Sequence, residues 1–399
     1  QQGVVSVDND QVQKITSHTA MDTTSVNHIY LDQTGSLWFA TEQGLVLYRD
    51  GKFSIYTEAD GLTNNNVKKV VQDREGNIWL ATDRGGIEKL SMGKFRMENI
   101  GTTVNTIAEG KDKLVWIGTD DGLRCYNQRN EELHNSLTEK CRNLRIRHVG
   151  ITRNGDVLVS CYSKPGQLRY NGTAIRSWTT DEGLAGNKTR LAVECSNGDV
   201  YVGTTTGLSI IHASDGSVRN FTREQGLSND YIMWVYEDTD RQMWIGTDGG
   251  GINIMAGEKV IGQLTTSDGL AGNVIFKIMQ DKKGIFWICT GTGITRYDRR
   301  TKAEQGASGG MFNYTAAQGL GSDSVFQVLI DYTDTVWMTS NRGISCVQLS
   351  DMDSVMNGGK KTVDSKFFNK NDGLRSGGVT STSLSMCDTY GRLWFTLID

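Results

Sequence analysis

One phrase recurs along this chain of 399 residues, and its spacing limits the fold more than any other feature. It runs Gly61-Leu62, Asp73, Gly76, Trp79, Ala81-Thr82, with a gap of 12 from Gly to Asp and of 6 from Asp to Trp. The same gaps return at Gly226, Asp238, Trp244, at Gly269, Asp281, Trp287, and at Gly319, Asp331, Trp337. Gly183, Cys195, Tyr201 and Ala20, Asp32, Trp38 keep the spacing with substitutions, and looser copies centre on Trp116, Leu158 and Trp394. Nine units of about 44 residues are thus marked, at positions 38, 79, 116, 158, 201, 244, 287, 337 and 394. A repeat of that length cannot bury an apolar face alone and must stack on its neighbours.

Each unit reads as four short strands. Val67–Val71, Ile78–Thr82 and Ile87–Leu90 are rich in β-branched residues and are parted by Gly or Asn/Asp turns. With 47 glycines and a single proline, Pro165, the chain must turn on positive-φ glycine and on Asn/Asp. The Asp-x-x-Gly spacer suits a tight turn between the first two strands, and the following Trp suits a wedge between adjacent sheets, burying on the order of 200 Å². Four-stranded units stacked in series are the blades of a β-propeller, so the expected fold is all-β, a single propeller over residues 1–399.

The ends suggest how it closes. Gly3–Val7 aligns with Gly44–Tyr48, and without a gap Val12 falls on Phe53, Ile15 on Tyr56 and Met21 on Leu62. The chain therefore opens with outer strands and finishes with the inner strands of Leu393–Thr396. Pairing the two halves would give nine four-stranded blades with no free edge. A ring of seven or eight blades with surplus repeats is the alternative.

The phrase Asn66-Val-x-x-Val70-x-x-Asp73-x-x-Gly76-x-x-Trp79-x-Ala-Thr82-x-x-Gly85 resembles the two-component regulator propeller repeat, over nearly the whole chain. That resemblance implies a non-enzymatic sensor module, periplasmic or extracellular, that recognises an oligosaccharide or other small ligand and signals to a two-component kinase or partner protein. Sensors of this family usually carry two seven-bladed propellers, an immunoglobulin-like sandwich, a membrane helix and a kinase. The last three are not read in this sequence, so an excised piece or a free-standing propeller is expected.

Other classes find little support. Lys+Arg 42 against Asp+Glu 46, a net charge of −4, gives no electrostatic footprint for nucleic acid or an anionic membrane. No apolar run reaches the roughly 20 residues of a spanning helix, and no leader opens the sequence, so a soluble segment is expected. Seven scattered cysteines without a CxxC pair read as small buried filler, although Cys125 and Cys141 could bridge. The aspartates Asp32, Asp73, Asp238, Asp281, Asp331 and Asp388 hold one turn position and lie a blade apart, too dispersed for a glycosidase pair. Gly246–Gly251 follows a strand and opens no helix, which argues against a phosphate loop. His28 and His148 share a repeat position three blades apart, and His18, His134 and His212 add no metal-ligand pairing. No cofactor or metal is expected. A propeller lyase or hydrolase, or a protein-interaction scaffold, remains as alternative.

Binding differences must lie where one copy breaks the phrase. In the loops between second and third strands these positions are Arg84, Asp121, Tyr162, Asp248 and Arg342. On the approach to the inner strand they are Lys188, Tyr231 and Trp234. Aromatic rings beside polar groups suit a sugar, whose ring face stacks while its hydroxyls need partners.

Overall fold

The computed structural model describes all residues except 1–3, 9–10, 16–23, 50, 75, 91–94, 96–97, 99, 302–309, 369–371, 375–378, 382–383 and 398–399. Gly3, Ala20 and Met21, used above in the repeat alignment, lie outside the described residues. The architecture is all-β and propeller-like: seven sheets have four antiparallel strands, one has three and two have two. Two compact units are present, Gln1–Met97 with Asn371–Leu374, and Glu98–Lys370 with Arg375–Asp399.

The first unit holds the hairpin Val4–Asp8 with Gln11–Ile15, a four-stranded sheet over 26–56 and a three-stranded sheet over 67–90. Val4 is buried against Phe39 and Val46. Trp38 fills the seam between the two larger sheets with Leu62, Val67, Val70 and Leu80, while Trp79, on the last sheet of this unit, stays 36% exposed.

The second unit holds seven sheets, numbered here 1 to 7, over 104–133, 146–178, 189–221, 232–264, 275–314, 325–368 and 386–394. Helices α1 (Ser136–Lys140) and α2 (Leu349–Met356) lie between or within them. Each of sheets 1 to 6 meanders from an inner first strand to an outer fourth, and successive first strands lie side by side. The repeat aromatic does fill the seams: Trp116 packs with Val157 and Val159, Tyr201 with Val235 and Ile245, and Trp287 with Val325 and Met338. Gly246 explains another part of the phrase, because a Cβ there would meet Ile275 of the next sheet at 2.6 Å.

Bonds between sheets run from each to the next. Val149 N–H donates to Thr106 Oγ1 (3.4 Å), Thr189 Oγ1 to the Cys161 carbonyl (2.8 Å) and Ser196 N–H to Glu237 (2.7 Å). Trp234 Nε1 donates to the Ile278 carbonyl (3.0 Å), Tyr314 Oη to that of Met352 (2.9 Å) and Gln327 Nε2 to that of Ser385 (2.7 Å). The circuit returns to its start through sheet 7: Leu384 N–H donates to the Asn105 carbonyl (2.9 Å), and Thr389 N–H to Glu109 (2.8 Å).

The closure expected from the two ends is therefore corrected. Val4–Asp8 and Gln11–Ile15 pair with each other, and Leu393–Trp394 pairs with Met386–Cys387; no described sheet contains strands from both ends. The physical reason is local satisfaction. The N-terminal hairpin buries its Val4 within the first unit, and the C-terminal hairpin finds its flanking partners in sheets 6 and 1. Cys125 and Cys141 are both free, so the bridge considered between them does not form. A hydrogen bond with Cys161, together with burial, pushes the Cys141 thiol well up. Residues 246–251 join two strands through a turn with positive φ at Gly249 and Gly251, as expected for turn glycines.

Candidate functional site

The repeat aspartates are structural, and they do more than hold a turn. In each of six copies the carboxylate accepts the indole N–H six residues on: Asp32 from Trp38 (2.9 Å), Asp73 from Trp79 (2.8 Å) and Asp238 from Trp244 (2.9 Å). Asp281–Trp287 (3.1 Å), Asp331–Trp337 (2.8 Å) and Asp388–Trp394 (2.9 Å) repeat it. The other oxygen of Asp32 accepts from the backbone of Thr34 and Ser36. Where Gly110 replaces the acid, the Trp116 N–H is buried without a partner. These carboxylates are committed to the frame.

The first strands instead shape the mouth of the second unit. In sheets 2 to 5 the pairing of the first two strands slips by one residue, leaving Arg147, Arg190, Met233 and Phe276 as the bulged positions. A bulge turns a side chain out of the regular alternation. Those four residues, with Leu191, Trp234, Ser381 and Leu384, line a common central cavity of about 20 Å³, room for a water molecule. Across it Phe276 meets Phe326 edge to face at 5.1 Å. One wall is thus cationic and the opposite wall aromatic.

Above Arg147 and Arg190 lies a cluster that gathers three of the predicted site residues, Tyr162, Lys188 and Tyr231. The Arg147 guanidinium sits 4.8 Å from the Tyr162 ring centre, Arg145 5.8 Å and Lys188 Nζ 5.7 Å. Arg190 stacks 4.9 Å from the Tyr231 ring and donates to its hydroxyl at 2.8 Å. Burial acts to raise the Tyr162 phenol, but a hydrogen bond with Tyr231 and the charges of Arg147, Arg190 and Lys188 bring it below its ordinary value. Tyr231 shifts the other way, raised first by burial.

Trp234, the fourth predicted residue, lies lower in the cavity wall. Lys277 Nζ is 5.1 Å from its ring, and His148 meets it edge to face at 6.2 Å. Burial, then the charge of Lys277, pulls His148 down to about 4, and burial pulls Lys277 down to about 8. The remaining four are not gathered with them. Arg84 is exposed in the first unit. Asp121 and Asp248 are exposed loop residues whose carbonyls accept from Asn143 N–H and the Asn229 amide, and Arg342 donates to the Gly321 carbonyl at 3.1 Å. Arg145, Arg147 and Arg190 were missed in the sequence. Their signal was there, as Arg145-x-Arg147 and Lys188-x-Arg190 hold the same positions in adjacent copies.

The approach loops are braced. Before Lys188 and Tyr231, the side chains of Asn187 and Asp230 accept from the backbone of Thr180 (2.9 Å) and Arg223 (2.7 Å) seven residues earlier. Each such loop carries a one-turn 3₁₀ helix with a capping box, Thr179 with Glu182 and Thr222 with Gln225, ended by Gly183 or Gly226 at φ near 100°. Among the described residues no three His, Cys, Asp or Glu side chains gather in a form that could hold a metal, and no helix is long and apolar enough to cross a membrane.

Three segments, residues 61–84, 226–249 and 269–292, match the family model described as two component regulator propeller. The chain carries two component regulator propeller repeats. Among solved structures, it is similar to the extracellular domain described as that of the hybrid two component system BT3049 from B. thetaiotaomicron. The TM-score is 0.69 and the identity 20%, over 100% of this chain and 58% of that one. The extracellular domain of BT4673 from the same organism gives 0.58 and 17%, over 96% and 52%. The propeller-repeat chain thus spans little more than half the length of these sensors. A virginiamycin B lyase from Staphylococcus aureus shares the fold more loosely, with a TM-score of 0.52 and 14% identity over 68% of this chain and 86% of that one. No curated protein matches the sequence. In the matched regulator propeller repeats at 226–249 and 269–292, the residues that repeat are those of the frame, Asp238 with Trp244 and Asp281 with Trp287. Tyr231, Trp234 and Lys277, which differ between these copies, lie in the mouth.

Proposed function

We propose that this chain is the ligand-binding part of a sensor, in which the second unit acts as a seven-bladed propeller and the first carries surplus repeats. The mouth formed by Tyr162, Lys188, Tyr231 and Trp234 recognises an oligosaccharide. One observation carries this reading: residues that break the repeat in three different sheets converge on one concave, braced spot. Flat tyrosine faces held by cations are stacking platforms of fixed orientation, and the loops behind them need little ordering on binding. The matched repeat family and the extracellular sensor domains of similar fold support a place outside the cytoplasm and an output to a two-component kinase or partner protein.

Binding to the native state raises apparent stability by mass action, by about 2.7 kcal/mol at a ligand concentration about 100 times Kd. A thermal-shift screen over plant and host oligosaccharides is expected to yield a hit that leaves the sugar unchanged and is lost in Tyr231→Ala. Shifts produced only by a protein partner would replace the sugar with an interaction surface, and product formation would replace sensing with catalysis.

A further inference from the structure

We propose that the mouth of the second unit is built for an anionic sugar, whose carboxylate or sulfate sits between Arg147 and Arg190 while its ring stacks on Tyr162 or Tyr231. The proposal rests on the sugar-binding reading above and names the ligand's charge. In a chain of net charge −4, four cations, Arg145, Arg147, Lys188 and Arg190, are concentrated in two neighbouring sheets around two phenols. A fifth, Lys277, lies in the cavity wall below. Asp120 offsets Arg145 at 2.8 Å.

The other groups leave positive charge directed inward. Arg190 spends one donor on the Tyr231 hydroxyl, and its Nε–H is buried without a partner. Burial and the like charges of Arg145 and Arg190 draw the Arg147 guanidinium down to about 10, the response of a cation among cations. The strand bulges aim Arg147 and Arg190, and no other charged pair, at the shared cavity. Two guanidiniums on adjacent strands match the planar, multidentate acceptor geometry of a carboxylate or sulfate. A neutral sugar would leave that field unanswered.

The test is calorimetric titration of the whole chain with tetragalacturonate, a heparin-derived tetrasaccharide and neutral cellotetraose. Either acidic probe is expected to bind about tenfold or more tighter than the neutral one, and to weaken as NaCl rises from about 0.05 to about 0.3 M. The two acidic arms separate carboxylate from sulfate as the source of charge. Arg190→Gln is expected to weaken the acidic probe about tenfold. Lys188→Gln, at an exposed position with no part in packing, is expected to do so by about threefold and guards against a folding defect in the first variant. Binding of cellotetraose without the acidic probes would overturn the proposal and leave the sugar-binding reading standing. No binding by any probe would remove both. Acidic binding unaltered in both variants would also overturn it, as would equal binding of sodium sulfate alone, which would assign the cluster to a bare anion.

Discussion

The residue that most repays attention is the repeat aspartate. Asp238 is fully buried, accepts from the backbone of Asp240 and Gln242 and from the Trp244 indole, and pairs with Arg299 at 2.7 Å. Asp238→Ala would strand the indole and the guanidinium together, and a loss of about 3 kcal/mol is expected in chemical denaturation. Trp116→Phe should cost less than Trp244→Phe by about 1 kcal/mol, since the Trp116 N–H has no partner to lose. His148 supplies a pH test. Its folded value of about 4 lies below the ordinary 6.5, so between those limits the unfolded chain holds the extra proton. Stability is then complete above about 6.5 and falls as pH drops toward about 4, by up to about 3 kcal/mol. Melting temperatures across that range should flatten in His148→Gln. At this scale the sequence was only partly legible: the constant gap of 6 from Asp to Trp was visible, but the turn role alone was read from it. An indole reaching back across a hairpin to the carboxylate has no signature beyond spacing.

At the scale of elements, four strands per repeat followed directly from β-branched runs punctuated by Gly and Asn/Asp, and seven sheets have that form. The loops between sheets were less legible. Their Thr-x-x-Glu/Gln/Asp-Gly pattern is a capping box on a single 3₁₀ turn, and a three-residue helix is too short for hydrophobic periodicity to reveal. Thr222→Val should lower stability by about 1 kcal/mol, with the readout a shift in denaturation midpoint without a change of slope. The bulges were invisible for a different reason. Residues flanking Arg147 and Arg190 keep a normal strand alternation in the sequence, and only the partner strand shows that one position is unopposed. Tyr162, Lys188 and Tyr231 were found because they break the repeat; the arginines beneath them were passed over, because attention fell on aromatic differences.

At the scale of the whole molecule, the local repeat spacing was a sound guide and the pairing of distant ends was not. A register match between Gly3–Val7 and Gly44–Tyr48 shows that two segments could form equivalent strands; it does not say which sheet each joins. That choice depends on side-chain contacts such as Val4 with Phe39, which alignment does not show. Removing residues 384–399 should expose the flank of sheet 1. Amide exchange at Val104–Glu109 is then expected to accelerate, with the 26–56 sheet of the first unit unaffected.

The bonds from Leu384 and Thr389 to Asn105 and Glu109 also set an order of assembly. As the polypeptide emerges from the ribosome, sheets 1 to 6 can stack in sequence, each finding its neighbour within seconds of synthesis. Sheet 1 must wait for nearly all of the second unit before its other side is covered. A bare strand flank held open during translation is a natural client for a chaperone, and a site where two nascent copies would exchange hairpins if release were premature.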